Sequence, residues 1–205
     1  VPNVLLPTEE GQHIAVLSDH QAPRHARELH KLACAWLKAH HPEWVIVNGD
    51  LLNLDPLSTH LPTPEIDPTV QGGMDAATRV LRDYRRAVPS ARMLMIPGNH
   101  EQRLQNKLLR TLPELYRLRR GGEGLRADPV LSVPHLLRLD ELGIEWVTGD
   151  VGEWPFAEAR FLNLIISHGA VARAGSGASA RKTLERLMAN TVIGHTHRQA
   201  IVWHT

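Results

Sequence analysis

Short apolar runs alternate along the chain with amphipathic stretches, which is the pattern of an α/β layer fold. Apolar positions at helical spacing predict four helices, over 24–39, 74–88, 101–120 and 180–188. We expect a break near Pro113 in the third helix and Ser179 as the N-cap of the last. Apolar runs predict strands over 13–17, 44–47, 93–96, 144–147, 161–166, 191–193 and 200–203. The stretch 55–73, rich in proline and glycine, predicts a long loop of the kind that often carries function.

Composition narrows the classes of protein. The chain has 205 residues, of which 42% are apolar and 22% charged, so we expect one globular domain over 1–205. Its 23 basic and 22 acidic residues nearly cancel and aromatics make up only 4%, so a long nucleic acid is not favoured as a partner. No run approaches the roughly 20 apolar residues of a membrane span, and no signal peptide is evident. With Cys34 as the single cysteine, we predict a reducing, cytoplasmic setting.

Histidine is the unusual residue in this composition. The chain holds thirteen histidines against one cysteine. A metal site built from thiolates is therefore excluded, and a metal would be bound by imidazole and carboxylate.

Polar side chains follow the carboxyl ends of five predicted strands, where sites form in open α/β sheets. The segments are Ser18-Asp19-His20-Gln21, Asn48-Gly49-Asp50, Pro97-Gly98-Asn99-His100-Glu101, Ser167-His168-Gly169 and Gly194-His195-Thr196-His197. The glycines before Asp50, Asn99 and His195 allow the tight turns that deliver a side chain there. Carboxylate, imidazole and amide oxygen suit Mn²⁺, Fe²⁺ or Zn²⁺, and one bridging carboxylate is what a two-metal site about 3.5–4 Å across requires.

The order of these segments, from Asp19 to His197, resembles the calcineurin-like metallophosphoesterase superfamily. The resemblance implies a layered α/β/β/α sandwich, short here at its C-terminal end, that binds two divalent metal ions. It assigns Asp19, Gln21 and His197 to the first metal. It assigns Asn99, His168 and His195 to the second metal, with Asp50 as the bridging carboxylate. It also implies hydrolysis of a phosphate ester by a metal-activated water, with His100 as the non-ligand histidine that protonates the leaving group.

Three residues depart from the superfamily pattern. Gln21 stands where histidine is usual, which favours a harder ion such as Mn²⁺, with Fe, Zn, Ni and Mg left open. Asn53 stands where aspartate often orients the catalytic histidine, and it cannot offset an imidazolium charge. Glu101 replaces the commoner aspartate. Arg103 near the start of a helix suits phosphate contact, so we predict that Asn53 and Arg103 bind substrate.

The substrate we expect is a small phosphate ester. Glutamine at position 21 also occurs in relatives that act on nucleotide-type diesters, so a phosphodiesterase for nucleotides or cyclic nucleotides is the first hypothesis. A phosphomonoesterase, including a protein phosphatase, is the second, and a nuclease the third. A metal-holding scaffold without turnover is a hypothesis of a different class, which the presence of His100 disfavours. The sequence leaves the oligomeric state open.

Overall fold

The computed structural model describes residues 4, 5, 11–59, 69–125, 127–148 and 157–203. The eight strands of these ranges are β1 (Val4–Leu5), β2 (Ile14–Leu17), β3 (Trp44–Asn48), β4 (Arg92–Ile96), β5 (Ile144–Trp146), β6 (Glu158–Phe161), β7 (Leu164–Ser167) and β8 (Asn190–Ile193). The α-helices there are α1 (Arg27–His40), α2 (Val70–Ala87), α3 (Gln102–Thr111), α4 (Val133–Leu136) and α5 (Ala178–Leu187). None of these helices is long and apolar enough to cross a bilayer.

Two four-stranded sheets form the centre of the fold. The first has the order β2-β3-β4-β5 with every pair parallel, so the carboxyl ends of its strands meet at one edge. The second has the order β1-β6-β7-β8, in which β6 and β7 are antiparallel and β7 and β8 parallel. The single strand predicted over 161–166 is wrong, because the chain reverses after Phe161 and forms the β6–β7 hairpin.

Alternation along the buried strands places two cores on opposite faces of the first sheet. Val45 and Val47 of β3 pack with Leu37 of α1 and with the buried face of α2. Trp44 and Ile46 of the same strand face the other way and pack against the second sheet. Because α5 contacts β8 on the second sheet, the order of layers is helix, sheet, sheet, helix. The predicted α/β/β/α sandwich is confirmed.

Helix α2 begins four residues before its predicted start. The hydroxyl oxygen of Thr69 accepts a hydrogen bond from the Gly72 backbone N–H at 3.0 Å, which caps the helix and draws two glycines into its first turns. Part of the predicted loop over 55–73 is therefore helical. Its residues 60–68 lie outside the described residues.

Three predictions near helix and strand ends are also wrong. Helix α3 ends at Thr111, because Pro113 cannot continue it, and no helix covers 116–120. Helix α5 is capped by Gly177, while Ser179 lies inside it and accepts a hydrogen bond from the Arg173 N–H at 2.9 Å. Residues 200–203 form no strand.

Candidate metal centre

Two groups of ligand atoms converge at the carboxyl ends of the strands. The first group contains Asp19, Asp50 and His197, and the second contains Asp50, His168 and His195. Within each group the ligand atoms lie within 4.8 Å of one another. Asp50 belongs to both groups, which is the position that a bridging carboxylate must occupy in a two-metal site.

Asp50 is almost fully enclosed, with 2% of its surface exposed. Its Oδ1 accepts a hydrogen bond from the His100 backbone N–H at 3.0 Å, and its Oδ2 lies 3.2 Å from His168 Nε2. Burial alone would raise the pKa of Asp50, but the hydrogen bond and charge of His168, aided by His100, lower it. The same contact raises the pKa of His168 although burial opposes this. Asp50 is therefore an ionised carboxylate, and its negative charge favours the binding of a cation.

A second hydrogen bond orients the ring of His168. Its Nδ1 lies 2.9 Å from the Asn48 carbonyl oxygen and donates to it, so Nε2 is the atom that faces Asp50. The side chain of Asn48 also donates from Nδ2 to the Ser167 carbonyl at 2.9 Å, which ties the end of β3 to the end of β7. Backbone acceptors of this kind commonly fix the tautomer of a metal-binding histidine.

The first group is more open to solvent than the second. His197 Nε2 lies 3.2 Å from Asp19 Oδ1 and 3.1 Å from the amide nitrogen of Gln21, and half of its side chain is exposed. Asp19 also accepts the backbone N–H of His195, at 3.1 Å to each carboxylate oxygen, and the hydroxyl of Ser18 at 2.6 Å. The structure thus brings Gln21 against a proposed ligand of the same metal. Burial, followed by the charge of His168, lowers the pKa of His195.

Five of the seven predicted ligands have backbones in the left-handed region. The φ angles are 57° at Asp19, 52° at Gln21, 50° at Asp50, 71° at His195 and 51° at His197. Residues other than glycine rarely adopt this conformation, and where they do the strain is often found at functional sites. Sequence reasoning missed this feature, since none of the five is glycine.

Two glycines and an unpaired amide oxygen at the centre are consistent with the binding of a metal ion. A Cβ on Gly98 would lie 2.5 Å from the Asp50 backbone nitrogen, and one on Gly49 would lie 2.5 Å from His168 Cγ, so each glycine permits a close approach. Gly49 also has a φ of 75°, whereas Gly98 is not left-handed. The Oδ1 atom of Asn99 is buried and has no hydrogen-bond partner among the described residues. An unpaired amide oxygen beside carboxylates and imidazoles is a suitable donor set for a divalent cation.

His100 lies beside the centre without belonging to either group. Its Nε2 is 3.7 Å from Asp50 Oδ2 and 3.1 Å from Arg103 Nη2. Burial lowers its pKa, and the charge of Arg103 acts in the same direction, while Asp50 opposes both. Because a guanidinium only donates, His100 Nε2 accepts the hydrogen bond of Arg103 and carries a lone pair in this arrangement.

Arg103 is held by the protein itself. Its Nη1 donates to the Asn53 carbonyl oxygen at 2.6 Å and to Asp55 Oδ1 at 3.1 Å. Asp55 in turn pairs with Arg24 at 2.7 Å. Asn53 is 3% exposed, and its Nδ2 has no hydrogen-bond partner in the described part of the chain. Substrate binding by Asn53 and Arg103 stays a prediction. The sequence offered no signal for Asp55, which joins Arg103 through the fold.

Glu101 ties the loops of the centre together. Its carboxylate accepts the backbone N–H of Asp50 at 2.9 Å, of Leu52 at 2.9 Å and of Gly98 at 2.8 Å. Burial, followed by the charge of Asp50, raises the pKa of Glu101 to about 7, although these hydrogen bonds act in the opposite direction. The replacement of aspartate by glutamate at position 101 gave no signal of this role in the sequence.

The family model for calcineurin-like phosphoesterases matches residues 12–199. The chain therefore belongs to the calcineurin-like phosphoesterase family, as the order of its motifs indicated. Membership identifies a hydrolase that acts on phosphoester bonds with a divalent metal centre. No curated protein matches the chain significantly. The identity of the metal and the cytoplasmic setting stay predictions.

Proposed function

We propose that this chain is a two-metal phosphodiesterase that hydrolyses small nucleotide or cyclic-nucleotide substrates. The observation that carries the proposal is the sharing of Asp50 between two convergent ligand groups, with His100 Nε2 3.7 Å from the same carboxylate. A scaffold without turnover would need the ligands but not a proton donor beside them.

Seven residues would hold the two ions. Asp19, Gln21 and His197 would bind the first, Asn99, His168 and His195 the second, and Asp50 both. The mixture of carboxylate and amide oxygens with imidazole favours Mn²⁺. When bound, the ions would lower the pKa of a water molecule and offset charge on the phosphoryl oxygens.

The protein's own residues would position the substrate and move a proton. Asp50, fixed by the His100 N–H and by His168, would hold the centre of the site. In this arrangement Arg103 Nη2 donates to His100 Nε2 at 3.1 Å, so that nitrogen carries a lone pair. His100 would take up a proton from water at Nε2 in place of this hydrogen bond and pass it to the oxygen of the leaving group. The positive charge of Arg103 would favour that release, since it disfavours imidazolium.

The engagement of Arg103 favours diesters over monoesters. A phosphomonoester carries up to two negative charges and is usually bound by a free guanidinium or ammonium group. Here both terminal nitrogens of Arg103 contact the protein, at Asn53, Asp55 and His100, so Arg103 would have to exchange these contacts to bind substrate as the sequence predicts. A diester carries a single charge, which the proposed metal ions alone would balance. The net charge of +1 likewise favours a small substrate over a long polyanion.

Paired substrates and variants test the proposal. With Mn²⁺ added, we expect bis(p-nitrophenyl) phosphate to be hydrolysed faster than p-nitrophenyl phosphate. We expect His100→Ala to slow the hydrolysis of a nucleoside diester by about 10²–10⁴-fold. The loss should be smaller for bis(p-nitrophenyl) phosphate, because nitrophenolate leaves without a proton. The exposed His13 provides the control His13→Ala, which should leave both rates unchanged.

Each outcome has a definite meaning. Faster turnover of the monoester would replace the proposal by a phosphomonoesterase. Equal losses for both diesters would show that His100 does not supply the proton. Wild-type protein inactive on every phosphate ester in the presence of Mn²⁺ would favour the scaffold.

A further inference from the structure

A cluster of histidines outside the metal centre lines a cavity of about 220 Å³ between α1, α2 and the segment that follows β2. His20, His25 and His30 lie on its wall together with Tyr84 and the apolar side chain of Ala33. The rings are in contact: their centroids lie 5.7 Å apart for His25 and His30, 5.1 Å for His30 and Tyr84, and 5.6 Å for His20 and Tyr84. The proposed mechanism uses none of these side chains.

A hydrogen bond to one ring, that of His30, fixes which of its nitrogens carries a lone pair. His30 Nε2 lies 3.1 Å from Asp83 Oδ2, and the carboxylate accepts a hydrogen bond from the Nε2–H group. The Nδ1 atom of neutral His30 therefore carries a lone pair. His20 Nε2 lies 2.6 Å from the hydroxyl of Tyr84, which can accept a hydrogen bond from that nitrogen or donate one to it. Nδ1 of His20 carries a lone pair in the tautomer whose Nε2–H donates to Tyr84.

The Nδ1 atoms of His20, His25 and His30 are all buried, and none has a hydrogen-bond partner within the described residues. A buried ring nitrogen without a hydrogen-bond partner is unfavourable, so three such nitrogens on residues that line one cavity favour the binding of a ligand there. A ring whose other nitrogen donates to a carboxylate is the usual arrangement of a metal-binding histidine. Burial and the neighbouring His30 also lower the pKa of His25, which keeps its lone pair free near pH 7.

We propose that this cavity is a third cation site, in which His20, His25 and His30 bind a transition-metal ion such as Zn²⁺ through their Nδ1 atoms. Three imidazoles suit Zn²⁺, Ni²⁺ or Cu²⁺ and are poor ligands for Mg²⁺ or Ca²⁺. Asp83 supplies negative charge behind His30. The proposed ligands come from α1 and from the segment between β2 and α1. Asp19 of the metal centre also lines the cavity, and His20 follows it directly in the chain.

Binding requires one ring to move. In the described part of the chain, sets of three ligand atoms within 4.8 Å of one another occur only around Asp50. His25 is half-buried and precedes the first turn of α1, whereas His20 and His30 are held by Tyr84 and Asp83. We therefore expect the ring of His25 to rotate toward the other two when the ion binds.

Counting bound ions tests the proposal without reference to activity. Purified full-length protein is dialysed against Zn²⁺, and the tightly bound ions per chain are measured. We expect His25→Asn to bind one ion fewer than the wild type. The control is His41→Asn: His41 is exposed at the end of α1 with a φ of 45°, a conformation that asparagine tolerates. It should bind the wild-type number of ions.

A second measurement identifies the ligand atoms. Long-range ¹H–¹⁵N spectra of the histidine rings report Nδ1 and Nε2 separately, and Zn²⁺ should shift the Nδ1 signals of the three cavity histidines. Equal ion counts in wild-type and His25→Asn protein would overturn the proposal, as would Nδ1 signals that Zn²⁺ leaves unchanged. The comparison of variants does not depend on how many ions the Asp50 centre holds, so failure here leaves the proposed function intact.

Discussion

Because residue 98 is glycine, the loop after β4 approaches Asp50 more closely than it could with a side chain at this position. A Cβ at this position would lie 2.5 Å from the Asp50 backbone nitrogen and 2.9 Å from its Cγ, and closer still to Oδ1. Real Cβ atoms stay beyond 3.0 Å from such neighbours. The substitution Gly98→Ala therefore forces the two loops apart without altering any proposed ligand.

The magnitude follows from what Asp50 can do in response. Asp50 is 2% exposed and is fixed by the N–H of His100 and by His168, so it cannot rotate away freely. Overpacking of this kind destabilises by about 1–3 kcal/mol, and the upper end applies because backbone atoms are involved. Alanine also restricts the unfolded chain, which offsets about 0.4–1 kcal/mol, since Gly98 is not left-handed. We expect a net loss of about 2 kcal/mol, or roughly 4–8 °C in Tm for a chain of this length.

The assay separates stability from metal binding. Urea unfolding with a chelator present measures the free energy of unfolding of the metal-free protein, and a Mn²⁺ titration followed by Tm measures binding. A displacement of Asp50, the proposed bridging carboxylate, by a fraction of an ångström or more should also lower the proposed diester hydrolysis, by as much as about 10²-fold. The matched control is Gly121→Ala, because a Cβ there meets nothing within 4 Å and the backbone is not left-handed.

Two results would refute this reasoning. If Gly98→Ala protein unfolds at the same urea concentration as Gly121→Ala, the close approach to Asp50 does not exist. If it is destabilised but keeps wild-type Mn²⁺ binding and turnover, the position of Asp50 does not control the metal centre.

Three further predictions concern the same region. Asp50→Asn should abolish the rise in Tm on adding Mn²⁺, because it removes the shared charge of both ligand groups; an undiminished rise would contradict the bridging role. Glu101→Ala should lower the free energy of unfolding by about 3 kcal/mol or more in urea, since it leaves three buried N–H groups without their acceptor, and a loss under about 1 kcal/mol would show that water replaces the carboxylate. Burial, and next the charges of His30 and His25, lower the pKa of His20 from 6.5 to about 4. The unfolded chain therefore binds a proton that the folded chain does not, and stability should fall by up to about 3 kcal/mol as the pH drops from 6.5 toward 4. Urea curves at several pH values should show a weaker acid loss in His20→Asn, and an unchanged loss would exclude this group as its cause.

The direction of the strands made it possible to predict that the proposed ligands converge on one site. Asp19, Asp50 and Asn99 follow three adjacent parallel strands, whose carboxyl ends necessarily share an edge. His168 and His195 follow β7 and β8, which are also parallel. Local sequence is sufficient here, because each side chain needs only its place at a strand end to reach the site.

Features that depend on distant contacts could not be predicted in this way. The β6–β7 hairpin turns at Leu162 with a φ of 53°, and no glycine or proline marks the reversal. Arg103 has the sequence context of a phosphate ligand, but Asp55 and the carbonyl of Asn53, about fifty positions away, bind its guanidinium. The cavity lined by His20 and His30 likewise forms only when α1 packs on α2, which the local sequence does not show.

Backbone strain is concentrated at the centre: five of the eleven left-handed residues other than glycine in the described part of the chain are predicted ligands. A left-handed residue other than glycine costs about 1–2 kcal/mol, so the strain at five ligand positions amounts to a large part of the roughly 5–15 kcal/mol of a typical domain. Backbone hydrogen bonds stabilise these conformations: the Asp19 N–H donates to the Gly49 carbonyl oxygen at 3.1 Å, and the Gln21 N–H donates to the Asp50 carbonyl oxygen at 2.8 Å. Glycine at these positions would relieve the strain and keep the turns. It would also remove the carboxylates that accept the His195 and His100 N–H groups, so the side chains of Asp19 and Asp50 offset part of the strain that their backbones carry.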